Sequence, residues 1–207
     1  MNESSPPHPD PFLFAVVFEG GLGLVAVGLG WLLNDPPARR IDWTLQGVGL
    51  GFAATVPLAL GVWLCMKCSW RPFLHLLEML DETFVPLFKE CAIWKFGCIA
   101  LFAGFGEEML FRGVLQVALA SPFPPDVGPV IGLLAASLLF GLLHWLTLTY
   151  AILAALIGLY LGGVWMVTGN LLVPTVVHAV YDFWAPDFHT HVTERVGCLS
   201  RRRSVVN

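Results

Sequence analysis

VGPVIGLLAASLLFGLLHWLTLTYAILAALIGLYLGGVWMVT, Val127 to Thr168, contains no Asp, Glu, Lys or Arg. It is about twice the roughly 20 apolar residues that one bilayer crossing requires. A single helix of that length would overshoot the hydrocarbon on both sides, so the stretch reads as two helices with a tight turn near Thr147 to Thr149. Outside it the chain has the same character. Of its 207 residues 57% are hydrophobic and 13% charged, and the mean hydropathy is +0.74, well above what a soluble domain of this size carries.

Upstream, an apolar span runs from Phe12 to Leu33, interrupted by Glu19, and stops at Asn34-Asp35-Pro36-Pro37 ahead of Arg39 and Arg40. A second runs uncharged from Trp43 to Met66. Residues 67 to 90 differ: Phe73, Leu76, Leu77, Leu80 and Phe84 fall on one helical face and His75, Glu78 and Glu82 on another, after a Pro72 that suits a first turn. That pattern predicts an amphipathic helix lying in the membrane interface. A further span covers Cys91 to Ala120, and a last one runs from Leu171 to about Trp184 with Pro174 in its first turn.

The expected fold is therefore all-α: a polytopic membrane bundle of about six transmembrane helices plus one interfacial helix. The expected organisation is a disordered tail over 1–11, without the basic n-region of a signal peptide, one transmembrane domain over 12–186 and a basic tail over 187–207. Lys67, Arg71, Lys89, Arg195 and Arg201-Arg202-Arg203 lie on one side of this arrangement and only Arg39 and Arg40 on the other, which places both termini in the cytoplasm.

The composition excludes several classes. A net charge of -4 with no interleaved basic and aromatic surface argues against nucleic acid. Five cysteines at irregular spacing make no disulfide framework, and the Cys65/Cys68 CxxC lacks a second pair. Gly47/Gly51, Gly128/Gly132 and Gly158/Gly162 have the spacing that lets helices approach closely.

An ionisable group at the bilayer centre costs roughly 2.5 to 3.5 kcal/mol on insertion scales, so one found there has partners and commonly a task. This chain places six such groups in three spans: Glu107, Glu108 and Arg112; His144; and His178 with Asp182. Glu108 and Arg112 are four apart with the acid N-terminal, the favourable order for a helical ion pair, while Glu107 points about 100° away and is left to face a cavity as a base. His178 and Asp182 are also four apart, so the acid can hold the imidazole in one tautomer. Such a set can activate water and stabilise an oxyanion. It can equally bind a divalent metal such as zinc, with Glu107, His144 and His178 as ligands. Glu19, isolated in its span, is expected to pair with a polar neighbour or to lie near the interface. His189 and His191 beside Asp187 read as a solvated helix end.

Glu107-Glu108-Met-Leu-Phe-Arg112 matches EExxxR, Phe140-Gly-Leu-Leu-His144 matches FxxxH, and His178-Ala-Val-Tyr-Asp182 matches HxxxN/D, in order and on successive spans. Over residues 91–185 the chain thus resembles the CPBP family, the CAAX prenyl proteases and bacteriocin-processing (Abi) proteins. The resemblance implies an intramembrane endopeptidase whose water is activated by Glu107 and His144. His178 and Asp182 would then stand on the oxyanion side, with Glu108, Arg112 and Phe140 in support. Family members are described both as metalloproteases and as metal-free glutamate proteases, and the absence of HExxH favours the latter. Asp182 stands where some members have Asn. An ionised carboxylate donates no hydrogen bond, so Asp182 either orients His178 or works protonated.

The implied partners are the lipid bilayer and a membrane-embedded or lipid-modified substrate: a bacterial peptide, leader or C-terminal sorting signal, or a CAAX-like tail. The implied location is the bacterial inner membrane. The alternatives are a noncatalytic membrane protein of the same type, such as an immunity factor or partner-binding protein, and a zinc-dependent form of the protease.

Overall fold

The computed structural model describes residues 10–67, 70–88 and 92–184. The expected tails, apart from the junction at Asp10 and Pro11, lie outside the described residues, as do Cys68, Cys91, Asp187, His189, His191, Cys198 and the basic residues of the C-terminal run. The side chain of Phe84 lies outside them too.

The secondary structure of the described residues is all helical, joined by short turns and connections. Helix α1 (Pro11–Leu32) begins one residue earlier than the apolar span suggests, because Asp10 accepts a hydrogen bond from the Phe12 amide at 3.0 Å and Pro11 occupies the first turn, where no amide donor is required. Asn34 in the left-handed region turns the chain into a 3₁₀ turn (Pro37–Arg40). There Arg40 pairs with Asp35, and the guanidinium holds the Asp35 carboxyl below the usual carboxylate range.

Helices α2 (Leu45–Lys67) and α3 (Arg71–Phe88) follow. The amphipathic reading of α3 holds where its side chains are described. Phe73, Leu76 and Leu77 are buried against Cys65 of α2 and the residues Tyr150 and Leu153, whereas His75, Glu78 and Glu82 are exposed.

Helix α4 (Ile93–Leu110) continues through a π-helical turn (Phe111–Leu115) into the short α5 (Gln116–Ala120). Helix α6 (Gly128–Leu143) ends at His144, and α7 (Leu148–Thr168) starts from Thr147, whose hydroxyl accepts from the Tyr150 amide at 3.1 Å. The turn between them is thus 144–147, a few residues before the expected Thr147 to Thr149. The reason is the threonine cap: it commits Leu148 and Thr149 to α7. After Gly169 in the left-handed conformation, α8 covers 172–184.

Three helices, α1, α2 over Leu45–Cys65, and α7, are long and apolar enough to cross a membrane. Helix α6 rises only about 24 Å at 1.5 Å per residue, and α4 carries the charged residues. Apolar side chains stand open on the outer helices, among them Leu24 at 75%, Trp31 at 78% and Val167 at 88% exposure. Water would penalise such a surface and lipid does not. This is an integral membrane protein.

Packing explains how the charged groups meet. Helices α1 and α4 run parallel from the same end, where Asp10 approaches Lys95 at 3.9 Å and the Phe12 ring meets Trp94 edge-on at 5.5 Å. Further along, Gly106 lies so close to α1 that a methyl group there would overlap the Glu19 carbonyl. The start of α8 and Leu171 just before it are enclosed, with Leu171, Leu172, Val173, Thr175 and Val177 all at or below 3% exposure. Its start is pinned by Asn170, whose Oδ1 accepts from the amides of Asp42 (3.0 Å) and Leu172 (2.9 Å) and whose Nδ2 donates to the Asp42 carbonyl at 2.9 Å. A buried Asn thus joins Asp42, just after the 3₁₀ turn, to the N-terminus of α8 through three hydrogen bonds.

Candidate active site

Glu107 and Glu108 stand on the last full turn of α4, just before the π turn. Gly104, one turn earlier, packs against the Thr175 carbonyl and Ala179 of α8, at 2.9 and 3.0 Å from where a Cβ would stand. That close approach presents both acids to His178. Glu108 is fully buried and Arg112 nearly so at 1%. Arg112 Nη1 donates to Glu108 Oε1 at 2.7 Å and Nη2 to the Gly158 carbonyl of α7 at 3.1 Å. Position 158 admits this contact because no side chain intervenes; Ser137 of α6 already lies 3.2 Å from the place a Cβ would take.

The His178 Nδ1–H donates to the same Glu108 Oε1 at 2.8 Å. His178 Nε2 faces Asp182 Oδ2 at 3.3 Å and Glu107 Oε2 at 3.9 Å. The pairing of Glu108 with Arg112 is as the spacing predicts. The orienting of His178 is divided differently from the expectation: Glu108 makes the shorter contact at Nδ1, and Asp182 takes the other nitrogen. An i,i+4 rule describes one helix surface, while the Glu108 contact crosses between helices.

His144 caps α6. Its ring nitrogen Nδ1 lies 2.8 Å from the Phe140 carbonyl, an acceptor only, so Nδ1 carries the hydrogen and Nε2 is turned inward. Nε2 stands 3.8 Å from Glu107 Oε2. Phe140 fixes this geometry. Its ring stacks on His144 at 4.3 Å, meets His178 edge-on at 6.1 Å and lies 4.7 Å beneath the Arg112 guanidinium. Tyr150 closes the far side of His144, ring to ring at 6.1 Å.

Six of the charged or imidazole groups singled out in the sequence therefore form one cluster. Glu107 Oε2 is buried without a hydrogen-bond partner, flanked by two imidazole nitrogens. The side chains of His144 and Asp182 are 27% and 33% exposed, so the cluster opens on their side. Among the described residues no group of three or more His, Cys, Asp or Glu side chains is disposed to hold a metal ion. One further acid stands beside the cluster: Glu19 of α1, whose backbone carbonyl meets Gly106, the residue before Glu107, and whose Oε2 is buried. Its signal in the sequence was a lone acid in an apolar span; what could not be read was which helix it would face.

Residues 89–184 match the family described as Rce1-like, type II CAAX prenyl endopeptidase. An uncharacterized protein of Bacillus subtilis (strain 168), YpbD, is 39% identical over 87 residues, covering 41% of this chain and 40% of that protein. The similarity thus spans about two fifths of that relative's length. No solved structure matches. Residues 89–184, the segment that carries Glu107, Glu108, Arg112, His144, His178 and Asp182 and a little under half of the chain, are thus similar to the Rce1-like family of type II CAAX prenyl endopeptidases.

Proposed function

We propose that the protein is an intramembrane endopeptidase that hydrolyses a peptide bond in a membrane-associated substrate with a water molecule activated by Glu107 and His144. The observation that carries this reading is the unpartnered, buried Glu107 Oε2, with His144 Nε2 at 3.8 Å and His178 Nε2 at 3.9 Å. Separations of this size are too long for direct hydrogen bonds. They suit two groups that hold one water between them.

Glu107 takes a proton from that water as its oxygen attacks the scissile carbonyl. The C–N bond breaks when the proton passes to the leaving amine. His144, with Nδ1–H bound to the Phe140 carbonyl, offers Nε2 as the second holder of the water. His178 stands on the oxyanion side, oriented by Glu108 and Asp182. Arg112 keeps the Glu108 charge compensated.

The substrate is a membrane-embedded or lipid-modified peptide, because a site walled by apolar helices is reached from the bilayer. A bacterial peptide, leader or C-terminal sorting signal fits, as does a CAAX-like tail. The place of action is the inner membrane of a bacterium. Both termini then face the cytoplasm, an orientation supported by the Lys and Arg asymmetry. Reporter fusions at either end are expected to give cytoplasmic signals, and a periplasmic signal from either reverses the assignment.

The decisive assay uses purified full-length protein in micelles with two fluorogenic probes, a farnesylated CAAX peptide and an unmodified transmembrane-helix peptide. Cleavage of at least one is expected. It should persist at the same rate after dialysis against EDTA. Loss on chelation with recovery on adding zinc replaces the mechanism with a metal-dependent one. A wild-type protein inert toward both probes removes the enzyme reading in favour of a noncatalytic partner-binding role.

A further inference from the structure

Helix α1 contributes to the site although it lies outside the residues that match the family. Its closest approach to α4 is at Gly106, immediately before Glu107, where the absence of a side chain brings the Glu19 backbone carbonyl into contact. Gly23, one turn further along α1, meets the same position, with the Gly106 Cα 3.6 Å from where a Cβ of Gly23 would stand. The two glycines set the depth and rotation of α1, so Glu19 projects beside Glu107 rather than into lipid. Glu19 Oε2 is buried and has no hydrogen-bond partner, which at membrane depth is a costly placement for a residue without a task.

We propose that Glu19 is a positioning residue for Glu107, fixing the direction of Oε2 toward the two histidines through a hydrogen bond between their carboxyl groups. This rests on the reading of Glu107 as the general base. A glutamate side chain has three rotatable bonds, and the small approach distances at which a base works leave little room for error in them. Phe140 fixes His144, and Glu108 fixes His178. Among the described groups Glu19 is the one placed to do the same for Glu107.

The experiment compares wild type with Glu19→Leu and Glu19→Gln, all full-length in micelles, on the farnesylated CAAX peptide. Glutamine can still hydrogen-bond to Glu107; leucine fills the space and cannot. Glu19→Leu is expected to lower kcat by about tenfold or more with KM within about twofold of wild type, as misplacement of a reacting group does. Glu19→Gln is expected to recover to within about threefold of wild type. A structural role for Glu19 predicts instead that both variants change together with the thermal midpoint.

A second readout needs no turnover. In infrared spectra a hydrogen-bonded carboxyl pair gives a protonated-carboxyl band, and Glu19→Gln and Glu107→Gln should each remove or shift the same one. Leucine at wild-type kcat, or a band that Glu19→Gln leaves unchanged, overturns the proposal. If wild type does not cleave the probe, the enzyme reading falls, and the infrared comparison alone decides whether Glu19 holds Glu107.

Discussion

Glu107→Gln is expected to lower kcat on the cleaved probe by about 10³-fold, within the range of 10² to 10⁴ that positioned general bases contribute, while the thermal midpoint stays close to that of wild type. The two halves of this result have separate causes. Glutamine is isosteric and keeps one oxygen and the reach of the side chain, so packing against Gly106 and α1 is undisturbed. It has no basicity, so the proton of the attacking water has nowhere to go. Stability is insensitive because Glu107 Oε2 has no hydrogen-bond partner to lose, glutamine can still bond to the Glu19 carboxyl, and replacing a buried carboxyl by a neutral amide removes a group that is expensive to bury. A variant that still cleaves at the wild-type rate means that Glu107 is not the base. A variant that also unfolds means that Glu107 is structural.

This contrast in one residue reflects what could be read in the chain. The motif residues were visible because ionisable side chains stand out against apolar spans, where each must justify its cost. Spacing then placed Arg112 on Glu108 correctly, since both sit on one helix face. Contacts between helices were a different matter. That Glu108 rather than Asp182 makes the shorter bond to His178 depends on the depth of α8 against α4, which Gly104 sets, and a glycine in a Gly-rich span gives no warning of its partner. The π turn at Phe111–Leu115 is likewise silent in the sequence. It adds a residue to the turn directly after the paired acids and so resets which side of α5 faces the core, a device found often near functional sites. The 144–147 turn lies a few residues before the expected place because an uninterrupted apolar stretch offers only the Thr147 cap as punctuation. Glu19 stands out in the sequence as a lone acid, but the residue its backbone meets, Gly106, lies nearly ninety positions further along the chain.

The largest expected change in stability belongs to Arg112. Its side chain is 1% exposed, donates to both Glu108 and the Gly158 carbonyl, and packs on the Phe140 ring. Arg112→Leu leaves the fully buried Glu108 with His178 as its sole remaining donor. Breaking a buried pair from one side costs about 3 to 5 kcal/mol, because the surviving charge is uncompensated. Arg112→Lys keeps the charge but not the planar fork that reaches α4 and α7 together, so it should fall between leucine and wild type.

The informative comparison is the double variant Glu108→Leu, Arg112→Leu. With no stranded charge it should regain a large part of the lost stability, as apolar replacement of whole buried pairs does. It should regain no activity, because His178 Nδ1 has lost the carboxylate that orients it. Unfolding in micelles followed by tryptophan fluorescence, with cleavage measured on the same samples, separates the two quantities. A double variant no more stable than Arg112→Leu shows that the stranded charge was not the cost. A double variant that cleaves normally shows that Glu108 does not orient His178. The predicted outcome, a folded and inactive protein, requires one buried carboxylate to serve the bundle through Arg112 and the chemistry through His178.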